Sequence, residues 1–299
     1  PVTRITAPAA SSVQTGNFQI KVTDADDSGL DKCYYTTSGN TATPSVLPRG
    51  NIALSNPYRV WRPLDVAYST TSDVALAIWS TAHEGKIIGQ FITGAGALRG
   101  GNVILGSNNE FVGEIKITYD EDDDLFLVVW GTEIGNNMGP TYGSLVKADG
   151  TFVRQNFVIM NNCGVGIHAS SSGNIAYSKD AKKFFVSCTR GVITRGSIIG
   201  NSVTPTGTVG NEVAVTGGDM FGSSAAAGGS TELATWFDSN GIAYGRLYNP
   251  NGAALTGPIR ISTGTLGGYV SLVAFYDTTH NDYNVFYWGS VGRKLYKRT

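Results

Sequence analysis

Three acidic residues, Glu110, Glu133 and Asp238, stand in polar segments where a catalytic pair of carboxyl groups could be displayed. A glycoside hydrolase uses two such groups on either side of the bond that it cleaves. Nothing in the spacing brings two of these acids together, and acidic residues in loops are mostly solvated. We therefore assign no catalytic residue and keep these three acids as candidates.

Aromatic rings recur in the polar segments between the repeated units described below, with amide or charged residues nearby. A ring face stacks on the apolar face of a sugar, while polar neighbours bond to its hydroxyls. The predicted ligand-binding residues are Tyr58, Trp61, Phe111, Asn136, Tyr142, His168, Phe221 and Tyr269. The alternative is that these rings are ordinary packing, since buried aromatic residues dominate protein cores.

One short segment has the spacing of a calcium-binding loop. Asp24, Asp26 and Ser28 hold the first, third and fifth positions, and Gly29 holds the sixth. The twelfth position, where a bidentate Glu closes such a loop, is Tyr35. A polar hairpin turn explains the same residues, because Asp, Ser and Gly are standard turn residues. Ca²⁺ at Asp24, Asp26 and Ser28 is the one metal considered, and no other cofactor is expected.

The cysteines and histidines do not have the spacing of common catalytic or metal sites. Cys33, Cys163 and Cys188 lie too far apart in sequence for a zinc site, and the three histidines form no paired motif. No nucleophile elbow or phosphate-binding glycine loop occurs. An odd cysteine count allows one disulfide and a free thiol, and Cys163–Cys188 is the first pair to test. Buried free cysteines are the alternative.

The overall composition restricts the partners and the compartment. A net charge of −1 without a basic stripe predicts no nucleic-acid partner. The longest purely apolar stretch, Leu125–Trp130, is much shorter than a membrane span, so no membrane insertion is expected. With 15% charged residues and 39 glycines, the chain has the composition of a secreted or virion-exposed β protein. Because no charged-then-apolar leader follows Pro1, we expect any signal peptide to have been removed or omitted.

A strand–turn–strand pattern recurs along the chain, in which a Tyr and a polar turn precede alternating apolar residues. Its copies are VAYSTTSDVALAIW (66–79), ITYDEDDDLFLVVW (117–130), IAYSKDAKKFFVSC (175–188) and AFYDTTHNDYNVFYW (274–288). A fifth copy, SAAAGGSTELATW (224–236), has lost the Tyr. The acidic run Asp120–Asp124 fills a turn that carries lysines or threonines in other copies. We therefore interpret this run as a solvated polar turn and not as a site.

Two further predicted strands complete each unit, one with a Gly-polar-apolar-apolar core and one short and alternating, such as GNVILGS (101–107). Four-stranded units at a period of about 50 residues are typical of propeller blades. Over essentially the whole chain the pattern resembles that of secreted or surface-exposed β-propellers. The WD dipeptide, the kelch glycine pair and the sialidase Asp box are all missing. The resemblance is therefore to the fold and to no specific family.

The predicted fold is all-β: one domain over residues 1–299, forming a six-bladed β-propeller with four strands per blade. The blades are expected at about 9–56, 57–107, 108–161, 162–217, 218–264, and 265–299 plus 1–8. The N-terminal strand at residues 2–8 should pair with the C-terminal blade and close the ring, because an open ring leaves exposed edge strands. Two packed β-sandwiches are the alternative.

The loops between blades, and those between second and third strands, lie on one face of a propeller, and such loops commonly carry function. We therefore predict a non-catalytic extracellular recognition protein that binds carbohydrate or another surface molecule at this face. The alternative is a carbohydrate-active enzyme, a glycoside hydrolase or polysaccharide lyase, with acidic residues at the channel mouth. A third reading is a structural or attachment protein of a virion or extracellular assembly. The expected partner is a glycan or a cell-surface or assembly molecule.

Overall fold

The computed structural model describes most of the chain beyond residue 60 and two short N-terminal strands. The described residues are 4–7, 21–23, 54, 60–81, 84–108, 111–134, 137–163, 174–192, 195–217, 220–264, 270–289 and 294–299. Within them the regular structure is entirely β, so the predicted all-β class is confirmed for this part of the chain. None of these residues forms a helix of the length and apolarity needed to span a membrane.

The chain divides into two compact units, Pro1–Val46 and Leu47–Thr299. In the first unit, β1 (Arg4–Ala7) pairs with β2 (Lys21–Thr23) in antiparallel orientation. The predicted N-terminal strand at residues 2–8 therefore contains an observed strand, β1, whose described partner is β2. The pairing of residues 2–8 with the C-terminal blade stays a prediction.

The second unit contains five antiparallel sheets, in which the strands follow the order of the chain. Sheet 1 has β3 (Val60–Ser69), β4 (Val74–Thr81), β5 (Lys86–Thr93) and β6 (Leu98–Ser107). Sheet 2 has β7 (Phe111–Asp120), β8 (Leu125–Ile134), β9 (Asn137–Lys147) and β10 (Phe152–Met160). Sheet 3 has β11 (Asn174–Ser178), β12 (Lys183–Val192), β13 (Arg195–Val203) and β14 (Val213–Ala214).

Sheets 4 and 5 complete this unit. Sheet 4 has β15 (Phe221–Gly228), β16 (Thr231–Phe237), β17 (Ala243–Tyr248) and β18 (Ile259–Arg260). Sheet 5 has β19 (Val270–Asp277), β20 (Asp282–Gly289) and β21 (Lys294–Arg298). The first strands of successive sheets contact one another: β3 with β7, β7 with β11, β11 with β15, and β15 with β19. Four-stranded antiparallel sheets joined through their first strands fit a propeller-like fold.

The apolar run of β8 shows why the sheets stack face to face. All six side chains from Leu125 to Trp130 are at most 2% exposed. Because neighbouring side chains in a strand point to opposite faces, Phe126, Val128 and Trp130 pack against sheet 1. Leu125, Leu127 and Val129 pack against sheet 3. Burial on both faces requires a continuous apolar sequence instead of the alternating pattern of a half-exposed strand.

The turns between first and second strands share one backbone geometry. In sheets 1, 2, 3 and 5 the last turn residue has a positive φ: Asp73 (53°), Asp124 (51°), Lys182 (49°) and Asn281 (56°). Asp and Asn tolerate this left-handed conformation better than most residues. Sheet 4 has a shorter turn, in which Gly229 takes a φ of 55°.

A disulfide joins Cys163, which follows β10, to Cys188 in the middle of β12. The pair that the sequence analysis selected is therefore confirmed, and the alternative of free thiols is wrong for these two residues. The backbone N–H of Cys163 donates to the Gly139 carbonyl (2.9 Å), and Thr141 Oγ1 donates to the Cys163 carbonyl (2.7 Å). The bridge consequently links an anchored segment of sheet 2 to the second strand of sheet 3.

Candidate binding site

A hollow of about 500 Å³ lies where the first strands of the sheets reach their first turns. It is lined by the ends of β7, β11, β15 and β19 and by turn residues that include Thr70, Glu121 and Lys179. Five sheets thus contribute to a single concave surface. Its volume is in the usual range of small-molecule sites, about 300–1,000 Å³.

Three tyrosines of the repeated pattern lie in this lining, and each packs on a ring of the neighbouring strand. The ring centroids are 5.2 Å apart for Tyr119 and Phe126 and 5.0 Å apart for Tyr177 and Phe184. They are also 5.0 Å apart for Tyr276 and Tyr283. These residues are direct cross-strand partners in sheets 2, 3 and 5. Close pairing of this kind orients the rings through favourable aromatic contacts.

The tyrosine hydroxyls are anchored by turn residues. Tyr119 Oη donates to Asp124 Oδ1 (2.9 Å), and Tyr276 Oη donates to Asn281 Oδ1. The last turn residue of sheet 3 is Lys182, whose side chain has no hydrogen-bond acceptor for the tyrosine hydroxyl. Tyr177 Oη instead donates to Asp122 Oδ2 in sheet 2 (3.0 Å). Burial, with the adjacent carboxylates, raises the pKa of Tyr177 far above its ordinary value, so its hydroxyl remains a donor.

The acidic run Asp120–Asp124 connects three sheets. Asp124 accepts hydrogen bonds from Ser69 Oγ (2.5 Å) and from Ser72 Oγ of sheet 1. Burial opposes ionisation of Asp124, but the Ser69, Ser72 and Tyr119 hydroxyls outweigh it and lower its pKa. Toward sheet 3, Lys179 Nζ forms an ion pair with Glu121 Oε1 at 2.7 Å.

Asp120 corrects the interpretation of this run as a solvated polar turn. Its side chain is 0% exposed, and Oδ1 accepts from the backbone N–H groups of Asp122 (2.9 Å) and Asp123 (3.3 Å). Burial raises the pKa of Asp120 against the opposing effects of the Tyr177 hydroxyl and these two N–H groups. The three central acids of the run are exposed, so only its middle behaves as the sequence suggests.

Sheet 4 departs from the pattern at the wall of the hollow. The tyrosine position is occupied by Ala227, whose cross-strand partner is Glu232. Glu232 is 1% exposed, and neither carboxylate oxygen has a hydrogen-bond partner in the described structure. Burial raises the pKa of Glu232 to about 8, although the nearby Lys183 ammonium lowers it in part.

Two of the three candidate catalytic acids lie within the described residues. Glu133 on β8 is 6% exposed, and its Oε2 has no partner among the described residues. Asp238 follows β16 and accepts from the backbone N–H groups of Asn240 (2.9 Å) and Ile242 (2.8 Å), so it caps its own turn. No described hydrogen bond joins Glu133 to Asp238, and Glu110 lies outside the described residues.

Few of the predicted ligand-binding side chains can be placed. Tyr142 on β9 stacks on Trp130, with ring centroids 6.0 Å apart and an interplanar angle of 18°. Trp61, Phe111 and Phe221 belong to strands β3, β7 and β15 and not to loops, and their side chains are outside the described set. The other predicted positions outside the described residues are Tyr58, Asn136, His168, Tyr269, Asp24, Asp26 and Ser28. All of these assignments stay predictions.

The hollow itself was missed by the sequence analysis, which assigned the opposite face. One signal pointed to it: the copy SAAAGGSTELATW lacks the Tyr that the other copies keep. In the part of the chain that the structure covers, no three His, Cys, Asp or Glu residues form a group that could hold a metal ion. The predicted Ca²⁺ residues are not in that part, so the proposal of calcium stays untested.

No protein-family model and no curated protein matches this chain. Among solved structures, BBS1N in complex with ARL6DN is similar at 15% identity and a TM-score of 0.43, over 76% of this chain and 61% of that one. The exo-β-1,3-galactanase of Phanerochaete chrysosporium, solved with galactose, is 8% identical with a TM-score of 0.49, over 76% of this chain and 55% of that one. The GH43 endo-arabinanase of Bacillus licheniformis is 11% identical with a TM-score of 0.38, over 79% and 92%.

The chain thus spans less than two thirds of the length of the first two of these proteins. With identities of 8 to 15% and TM-scores below 0.5, these likenesses assign no function.

Proposed function

We propose that this protein is a non-catalytic extracellular recognition protein that binds carbohydrate in the hollow at the ends of its first strands. The observation that carries this proposal is the set of three ring-packed tyrosines, Tyr119, Tyr177 and Tyr276, lining one cavity with polar turn residues. Rings offer a flat apolar surface to a sugar, and charged or hydroxyl groups beside them bond to its hydroxyl groups.

The rigidity of these rings favours recognition. Tyr119 is fixed by Asp124, Tyr177 by Asp122 and Tyr276 by Asn281. A ligand therefore does not have to immobilise these side chains, which lowers the entropic cost of binding. Around them, Lys179 and Glu121 remain 62% and 48% exposed and can contact a ligand at the rim.

The disulfide supports the extracellular part of the proposal. Disulfides persist in oxidising compartments such as the extracellular space and are rare in the cytosol. Cys163 and Cys188 are both buried, so their bridge is a structural element instead of an exposed redox centre.

A glycan array, followed by calorimetry on the bound glycans, tests the proposal. Tyr276→Ala should weaken binding at least tenfold, because it removes a ring from the lining of the hollow. Tyr68→Ala is the matched control: Tyr68 holds the same position in sheet 1, but it does not line the hollow. Equal affinity of the two variants would contradict a site in the hollow.

A carbohydrate-active enzyme is the second candidate, and Glu133 is the observation that favours it. A glycoside hydrolase needs a pair of carboxyl groups, and Glu133 offers one that is nearly buried and has an oxygen without a partner among the described residues. A reducing-sugar assay on a polysaccharide panel, with Glu133→Gln as the variant, tests this function. If the wild type cleaves a polysaccharide and Glu133→Gln does not, the protein is an enzyme and the proposal of non-catalytic recognition is wrong. No binding on the array together with no turnover in the assay would favour the structural or attachment role.

We also propose that the propeller has six blades and that residues 2–8 pair with the C-terminal blade to close it. Four seams between sheets are filled by the described apolar clusters. Ala67 of β3 packs toward sheet 2 and Ala274 of β19 toward sheet 4. On the opposite faces of these strands, Val66 and Val273 are 56% and 57% exposed. Two apolar end faces of this kind are what a further blade would cover.

Deletion of residues 1–8 tests the closure. If these residues complete the last blade, their loss exposes a strand edge and should lower the melting temperature sharply. A chain with residues 2–8 replaced by a Gly/Ser stretch of equal length separates loss of the strand from loss of chain length. Unchanged melting of both variants would contradict closure.

A further inference from the structure

Sheet 4 has lost an entire pair of rings, not only a tyrosine. The cross-strand pairs at this position are Tyr119–Phe126, Tyr177–Phe184 and Tyr276–Tyr283 in sheets 2, 3 and 5. The corresponding pair in sheet 4 is Ala227–Glu232. Since paired residues of an antiparallel ladder project from the same face, the Glu232 carboxyl lies beside the methyl group of Ala227. Ala227 is one of the residues that line the hollow.

The wall formed by residues 226–229 consists only of alanine and glycine. The ring of Tyr276 lies directly against Gly228, where an added Cβ would overlap the ring. The small residues therefore allow Tyr276 to lie over Gly228, and Ala227 leaves the ring position of sheet 4 without a ring. Ala227 lines the hollow, whereas its partner Glu232 is 1% exposed and is not among the lining residues.

Glu232 is costly to the fold in this position. A buried carboxyl without hydrogen-bond partners destabilises the native state, whereas a phenyl ring at the same site packs well in sheets 2 and 3. The titratable neighbours on the packed strands are engaged elsewhere. Lys183 Nζ donates to Asn251 Oδ1 (3.1 Å), Tyr248 Oη to the Val215 carbonyl (2.8 Å), and Tyr283 Oη to the Thr231 carbonyl (2.7 Å). Local departures from good packing of this kind concentrate at functional sites.

We propose that the sheet 4 wall is a saccharide subsite, in which one neutral sugar ring fills the missing tyrosine position and two adjacent hydroxyls bond to Glu232. This inference rests on the proposed function and names its substrate class. A carboxylate accepts two O–H groups readily, and the bonded hydroxyls would satisfy the oxygens that now lack partners. A neutral ligand suits this lining, in which Lys179 is already paired with Glu121 and the further charged side chain is Asp180.

Restoring the ring pair gives the sharpest test. The double variant Ala227→Tyr/Glu232→Phe gives sheet 4 the Tyr–Phe pair that sheet 3 has at this position. It should melt at a higher temperature, because packed rings replace a buried carboxyl without hydrogen-bond partners. Its affinity for a panel of neutral gluco-, galacto-, manno- and arabino-oligosaccharides, measured by calorimetry, should fall at least tenfold. Wild-type affinity in this variant would overturn the subsite while leaving the proposed function in place.

A second variant keeps the test decisive if the first does not fold. Glu232→Gln keeps the side-chain shape but removes one acceptor, so affinity for the bound oligosaccharide should fall several-fold. Wild-type affinity should rise between pH 6 and 9 as the carboxyl ionises, and the variant should show no such rise. A flat wild-type profile with an unaffected variant would overturn the role of Glu232. Failure of the wild-type protein to bind any member of the panel would overturn the proposed function together with this subsite.

Discussion

Asp124 Oδ1 accepts two hydrogen bonds, one from Tyr119 Oη of its own sheet at 2.9 Å and one from Ser69 Oγ of the neighbouring sheet at 2.5 Å. Asp124 therefore joins sheet 1 to sheet 2 as well as ending its own turn. Asp124→Ala should lower the free energy of unfolding by about 1–3 kcal/mol, because several donors lose their acceptor together. Urea denaturation measures this loss.

Asp123→Ala is the matched control for this prediction. Asp123 is exposed in the same turn, and its described hydrogen bond runs from its backbone N–H to Asp120 Oδ1 and does not involve its side chain. We expect its free energy of unfolding to stay within about 0.5 kcal/mol of the wild-type value. Equal losses in the two variants would mean that the turn acts only through its charge.

The free energy of unfolding should depend on pH through the ionisation of Glu232. Burial raises its pKa to about 8, against 4.5 for an unperturbed Glu, so the native state holds a proton that the unfolded state releases. Where the native state binds more protons, stability falls as pH rises. Wild-type stability should therefore decrease between pH 4.5 and 8 by a Glu232 contribution on the order of a few kcal/mol.

Glu232→Gln isolates this contribution from those of other titrating groups. The amide does not titrate, so the variant should lose less stability than the wild type between pH 5 and pH 8.5. The measurement is urea denaturation at both pH values. Parallel pH profiles of the two proteins would show that Glu232 is ionised in the native state.

The repeat in the sequence predicts the sheets because it depends on local rules. Alternation, polar turns and the recurrent Tyr predict strands within each unit, and the continuous apolar run Leu125–Trp130 marks a strand buried on both faces. The turn ending in Asp124 is equally local, because Asp suits a positive φ. These elements depend on residues that lie close together in the chain.

The seams between sheets could not be predicted in the same way. Tyr177 bonds to Asp122 across 55 positions of sequence, and Asp120 is buried by its surroundings although its neighbours in the chain are exposed acids. No local pattern encodes such pairings. The missing Tyr in the fifth copy was visible, but its consequence for Glu232 required the register of β15 and β16.

The disulfide should stabilise the protein substantially. Its cysteines are separated by 25 positions, and closing a loop of that length removes about 3 kcal/mol of unfolded-state entropy in the chain-entropy model. Cys163→Ser/Cys188→Ser should therefore lower the melting temperature by several degrees. Cys33→Ser serves as the control for loss of a thiol. If reductant lowers the melting temperature of the wild type and not of the double variant, the bridge is the cause.

The contacts between sheets 2 and 3 allow a comparison of a hydroxyl with an ion pair. Tyr177→Phe keeps the ring on Phe184 but removes the bond to Asp122, and we expect a loss of about 0.5–1.5 kcal/mol. Lys179→Ala removes the exposed pair with Glu121, and exposed ion pairs contribute about 0–1 kcal/mol that salt weakens further. Urea denaturation at low and high salt separates the two: the Tyr177→Phe loss should persist at high salt, while the Lys179→Ala loss should vanish. The reverse salt dependence would mean that the charges, and not the tyrosine hydroxyl, hold this seam together.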